Sequence, residues 1–197
     1  VKPAVILLAG GLARRMGGGD KPLRLLAGRP ILAHVIARIA PQVSALAINA
    51  NGDPARFAAF DLPVVPDNLP ETPGPLAGIQ AGMEWAAPTA SDILSVPTDL
   101  PFLPADLVER LEAARAAEDA EIAVATSDGH MHPVVALWPT RLAAALHHAV
   151  AVEGLRRVTD FQKRYRVAYA DFPVGAIDPF LNINTPEDLA RAETLLG

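Results

Sequence analysis

Residues 4–22 read AVILLAGGLARRMGGGDKP, and the order of its parts is the key. Residues 4–9 are continuously apolar rather than alternating, which predicts a strand buried on both faces and therefore a parallel sheet. Gly10 and Gly11 then permit a turn without a Cβ, while Gly17, Gly18 and Gly19 let backbone N–H groups come close to a phosphate. Arg14, Arg15 and Lys21 add positive charge. The stretch contains neither GxxxxGK[ST] nor GxGxxG, so it is neither a P-loop nor a dinucleotide fingerprint. Glycine content alone would also suit a flexible surface loop. Three cations directly after a buried strand favour a polyphosphate site instead.

The chain of 197 residues is 51% hydrophobic and 20% charged, which suits one ordinary globular domain with a sizeable core. A formal charge of −5 argues against general binding to nucleic acid or an anionic membrane, so the arginines must act in a local pocket. No cysteine is present, which removes disulfides and thiolate metal sites and fits a reducing compartment. About six apolar residues precede the first glycine, too few for a signal h-region or a membrane span. A soluble, cytoplasmic protein, monomeric or weakly oligomeric, is expected.

Apolar strand-like runs alternate with helical patterns from there on, the signature of an α/β fold. Helices are predicted over 30–40, 76–85, 104–117 and 141–150, and strands over 45–48, 62–65, 93–96, 122–125, 134–138 and near 167–170. A short helix should follow Asp53 and Pro54, and a closing helix should be capped by Thr185 with Pro186 at its first position. Residues 68–75, with Pro70, Pro73, Gly74 and Pro75, read as an ordered loop. Trp85 and Trp138 are expected in the core or at its margin.

Acidic and amide residues fall at several predicted strand ends, where open α/β sheets carry their ligand crevice. Asp99, in PTDLPF, could hold Mg²⁺ against phosphate oxygens, or it could simply close a turn. Asn182 and Asn184 in NINTPEDL suit either a ligand site or helix capping. The alternate histidines of HMHP, residues 130–133, share one strand face but lack a third soft ligand.

The pattern LAGG-x-ARRMGG-x-DK resembles the signature loop of the molybdenum cofactor guanylyltransferases, within the nucleotide-diphospho-sugar-transferase-like nucleotidyltransferases. The similarity covers nearly the whole chain, up to NINTPEDL. It implies a three-layer α/β/α Rossmann-like domain over 1–197 with a mostly parallel mixed sheet, its N-terminal part binding GTP and its C-terminal part contributing to the pterin site.

By that resemblance Lys21 binds phosphate oxygens, Arg15 and Arg14 stabilise the leaving pyrophosphate, and Asp99 with Asn184 holds Mg²⁺. The nucleotide is expected at Leu8, Ala9, Gly10, Gly11 and Lys21, at Asn49 or Asn51, at Asp67 and Asp99, and at Gly74, Pro75 and Leu76 of the PGPLAG loop. Asn182, Asn184 and the pair Arg156 and Arg157 are expected toward the pterin. On a helix the two arginines would point about 100° apart, so one of them suffices.

The activity implied is transfer of GMP from GTP to molybdenum-molybdopterin. Cytidylyl transfer to the same acceptor and a non-catalytic GTP or cofactor carrier are the alternatives. LAGG rather than LAAG, and NTPED rather than DTPED, favour guanine. Transient contacts with the enzyme that inserts molybdenum and with apo-molybdoenzymes follow from the same resemblance.

Overall fold

The computed structural model describes residues 2–10, 20–69 and 74–196. Its opening run forms β1 (Ala4–Leu8), in which Val5 and Leu7 enter one apolar cluster while Ala4 and Ile6 enter another. A strand with a core on each side needs no polar face. Each fully buried branched side chain on it contributes about 1.5–3 kcal/mol to holding the sheet between its helices.

A two-residue-per-strand hairpin follows, β2 (Leu25–Leu26) and β3 (Arg29–Pro30), and leads into α1 (Ile31–Ile39). Next come β4 (Ala45–Asn49), a 3-10 segment at Pro54–Phe60, β5 (Val64–Val65), α2 (Pro75–Ala86) and β6 (Asp92–Pro97). The second half holds α3 (Leu107–Ala117), β7 (Ile122–Ser127), β8 (His130–Pro139), α4 (Ala143–Ala151), α5 (Val158–Gln162), β9 (Val167–Phe172) and α6 (Pro186–Leu196).

The main sheet runs β5-β4-β1-β6-β8-β7-β9. Only β8 is antiparallel to its neighbours; every other pairing is parallel. Helices α1 and α3 cover one face through Leu32, Val35, Ile39, Leu107 and Leu111, and α2, α4 and α5 cover the other through Ile79, Met83, Leu146 and Phe161. Helix α6 packs on the β2–β3 hairpin through Ala192 and Leu26. This is the three-layer, mostly parallel arrangement implied by the resemblance. Trp138 is fully buried and donates its Nε1–H to Ser95 Oγ at 2.9 Å, while Trp85 packs at the core margin.

Several details differ from the sequence reading: the strand expected over 62–65 is only Val64–Val65, and the β2–β3 hairpin and α5 were not predicted. The α-helical part of the third long helix starts at Leu107 rather than 104, and the fourth opens as a 3-10 turn at Thr140–Leu142. Strand β8 begins four residues early, at His130, because its polar start pairs with β7. Among the described residues no helix is long and apolar enough to cross a membrane.

Helix α2 lies unusually close to the sheet, and two glycines make that possible. A Cβ at Gly82 would sit 2.7 Å from the Cβ of Ile6, and one at Gly78 would sit 2.1 Å from Asn49 Oδ1. The helix start is thereby set against the ends of β1 and β4.

Candidate active site

The C-terminal ends of β1, β4 and β6 open onto a cleft of about 420 Å³, lined among others by Leu8, Gly10, Lys21, Asn49, Asp67, Gly74 and Asp99. It lies at the strand ends of a doubly covered sheet, where open α/β folds bind their ligands. Residues as far apart in sequence as Leu8 and Asp99 thus meet because parallel strands deliver their exits to one side of the sheet.

At one side of the cleft Lys21 Nζ lies 2.5 Å from Asp99 Oδ2 and 2.5 Å from Asn184 Oδ1. Both members of the ion pair are largely shielded, with side-chain exposures of 13% and 17%. Lys21 stands at the start of a 3-10 turn with Pro22 next to it. Asp99 lies two residues past β6, and its backbone oxygen accepts from Ile183 N at 3.0 Å, which seats Asn184 beside it. The other carboxylate oxygen, Asp99 Oδ1, is buried with no hydrogen-bond partner among the described residues. A buried lone oxygen of this kind, near an amide oxygen, is a donor set for a hard cation such as Mg²⁺, which takes one or two protein oxygens and completes its shell from phosphate and water.

At the other side Asp67 is held by two amides. Asn49 Nδ2 donates to Asp67 Oδ1 and Asn51 Nδ2 to Asp67 Oδ2, each at 2.8 Å, and Asp67 N donates to Asn51 Oδ1 at 2.9 Å. Both asparagines therefore act on one carboxylate, and both line the cleft. Two of the four or so lone-pair positions of Asp67 are filled, leaving acceptor capacity for a ligand.

The remaining expected residues fall as follows. Gly74 and Pro75 line the cleft at the α2 N-terminus, whereas Leu76 turns its side chain into the core. Ala9 is buried, and its N–H donates to Asn49 O at 2.9 Å. Asn182 is exposed on the segment before α6, whose first turn is capped as expected by Thr185 Oγ1 accepting from Asp188 N at 3.1 Å. Asp188 accepts in turn from the backbone of Asn184 and Thr185, and these bonds hold its carboxyl below the usual carboxylate range.

Arg156 and Arg157 precede α5 rather than riding on a helix; Arg157 is extended, at φ −103° and ψ 130°. Arg156 Nη1 donates to Val150 O at the end of α4 and to Leu155 O beside it in the chain, and Arg157 is exposed. Helix α5 reaches the cleft wall through Gln162, whose Nε2 donates to Pro133 O at 2.9 Å, one residue from the cleft-lining Val134. Gly11, Arg14 and Arg15 lie outside the described residues, as do Gly17, Gly18 and Gly19.

Sequence reasoning missed Arg56, which ties the two sides together. Its Nη1 pairs with Asp20 Oδ1 at 2.7 Å and its Nη2 donates to Asn51 O at 2.6 Å. It also missed Thr98, whose Oγ1 donates to Leu8 O at 3.2 Å and joins the exits of β1 and β6. The Thr98 signal was present in PTDLPF; nothing in the local pattern around Arg56 sets it apart from a surface arginine.

Comparison with known proteins bears on what this cleft does. The family described as MobA-like NTP transferase domain matches residues 5–167. A molybdenum cofactor guanylyltransferase of Bradyrhizobium sp. is 60% identical over 96% of this chain and 91% of its own length. One from Rhodopseudomonas palustris is 57% identical over 98% and 93%. Among solved structures, a molybdopterin-guanine dinucleotide biosynthesis protein A from Archaeoglobus fulgidus shares the fold, with a TM-score of 0.76 and 24% identity over 98% of each chain. A family match over most of the chain and identities well above half leave one conclusion: the chain belongs to the molybdenum cofactor guanylyltransferases, with a MobA-like NTP transferase domain.

Proposed function

We propose that this chain transfers GMP from GTP to the terminal phosphate of molybdenum-loaded molybdopterin, releasing pyrophosphate. The observation that carries the reading is one cleft with a lysine–carboxylate–amide cluster at one end and an amide-braced carboxylate at the other. The first end suits phosphates. The second suits a base edge rich in donors.

Guanine presents N1–H and N2–H₂ side by side, and the free acceptor positions of Asp67 complement that pair. Cytosine offers only one amino donor beside an acceptor nitrogen, which would face a carboxylate. The start of α2 at Gly74 and Pro75 brings the positive end of the helix dipole to the cleft.

Both partners of the transfer are strongly anionic, so the protein's task is to offset repulsion and to hold attack in line. The acceptor phosphate oxygen is already ionised, and no general base is required. Lys21 binds phosphate oxygens, Arg15 and Arg14 stabilise the leaving pyrophosphate, and Leu8, Ala9, Gly10 and Gly11 lie along the nucleotide. Asp99 and Asn184 would hold Mg²⁺, which when bound neutralises charge between the attacking and attacked phosphates. Asn182, Asn184 and one of Arg156 and Arg157 serve the pterin side. We assign 1–197 to a single nucleotidyltransferase unit of the cytoplasm that meets the molybdenum-inserting enzyme and apo-molybdoenzymes transiently.

The test is pyrophosphate release with Mg²⁺ and the loaded pterin, with GTP and CTP in parallel. GTP-dependent release that disappears in Asp99→Ala is the expected result. Release with CTP would make the chain a cytidylyltransferase, and none with either nucleotide would leave a carrier.

A further inference from the structure

On the far side of Asp99 from the base end, three polar side chains from three elements form a chain of hydrogen bonds. Ser127, the last residue of β7, is 1% exposed. Its Oγ lies 2.7 Å from His132 Nε2 on β8 and donates to Asp178 Oδ1 at 3.1 Å. A hydroxyl has one proton, so with that proton given to Asp178 it accepts the Nε2–H of His132. The imidazole also stacks on Phe180, with ring centroids 4.4 Å apart, and Phe180 packs edge-on against Phe172 at 5.3 Å.

Asp178 Oδ1 accepts a second bond from Phe180 N at 2.9 Å, and Asp178 O accepts from Leu181 N at 3.1 Å. These bonds turn the chain sharply. Two residues further on, Ile183 N reaches Asp99 O, and Asn184 Oδ1 then meets Lys21 Nζ. Segment 178–184 is thus a strap fixed at one end to β7 and β8 through Ser127 and His132, and laid at the other against the reacting cluster.

We infer that His132, Ser127 and Asp178 are positioning residues for the transfer, acting through the strap to set Asn184 against Lys21 and Asp99. The inference rests on the function proposed above. A carboxylate in a polar site needs no buried serine to satisfy it, since water would do. Burying Ser127 to link Asp178 with His132 instead gives the strap one geometry, and half-buried His132 closes it with a ring face as well as a donor. None of the three lines the base end of the cleft.

The experiment compares Ser127→Ala and His132→Phe with His132→Gln in the full chain. The phenylalanine keeps the ring and loses the donor, whereas the glutamine keeps a donor. Amide exchange over 178–184 should rise in the first two, and kcat should fall about tenfold, the equivalent of one lost buried hydrogen bond. GTP affinity should stay within about twofold, because the residues around Asp67 are untouched, and His132→Gln should recover most of kcat.

Unchanged exchange and unchanged kcat in Ser127→Ala and His132→Phe would overturn the inference. So would a fall in GTP affinity parallel to kcat, which would mark a general loss of structure. Should the wild-type chain transfer no nucleotide, the proposed function fails by itself, and exchange over 178–184 still decides whether the relay holds the strap.

Discussion

Lys21 is bound to a carboxylate and an amide oxygen at the same time. A triphosphate offers it more negative charge, and Lys21 leaving Asp99 would expose the carboxylate to a metal ion. Lys21→Ala should therefore act in two directions. It should raise the transfer barrier by about 3 kcal/mol, seen as roughly a 10²–10³-fold lower kcat in pyrophosphate release. It should also tighten Mn²⁺ binding to the nucleotide-free chain, measured by titration of the free ion's magnetic resonance signal. Unchanged turnover would remove Lys21 from the chemistry. At this scale the sequence was informative near strand exits, which face the crevice: Asp99, two residues past β6, was singled out on that ground, and Asn49 and Asp67, at the next strand ends, through the family resemblance. Ser127, Asp178 and Arg56 were not, and His132 was weighed only as one of the alternate histidines of HMHP, because their partners come from other elements and share no spacing with them.

Elements that bury two faces or a clear stripe were legible, such as β1, α1, β4 and β6. Those stabilised by tertiary pairing were not. The hairpin β2–β3 has two residues in each strand, α5 spans five residues and is too short for a helical period, and the start of β8 is polar. Helix α2 was read correctly as a helix, but its distance from the sheet lies in two glycines that a pattern of apolar residues does not weigh. Gly82→Ala gains up to about 1 kcal/mol of helix propensity, yet it places a carbon 2.7 Å from Ile6 Cβ, on a strand that cannot yield. The clash should win, with Tm lowered by several degrees in a thermal melt. A Tm equal to or above the parent's would mean that α2 can lift from β1 at little cost.

Taken whole, the molecule joins a parallel half, to which we assign the base and phosphates, to a half in which β8 reverses direction. Its stability should depend on pH through the second half. Burial is the main reason why the His132 imidazole titrates below its usual range, against the pull of Asp178 and with a smaller push from His130. The folded chain then takes up this proton less readily than the unfolded chain, whose histidine titrates near about 6.5. Stability contributed by neutral His132 is complete above that pH and is lost as pH falls through it toward the lowered folded value. Melting temperatures between neutral and mildly acidic pH should fall more for the parent than for His132→Gln, and parallel curves would dissociate the histidine from the effect. The reversal of β8 has another use. Its first residues extend past the point where β6 ends its pairing at Ser95, and the exposed turn at Asp128 and Gly129 joins β7 to that overhang. A fluorophore attached there would sit on the exposed surface, next in sequence to Ser127, which bonds the strap through Asp178. The chain thus provides its own place for an optical reporter of whether the strap is docked.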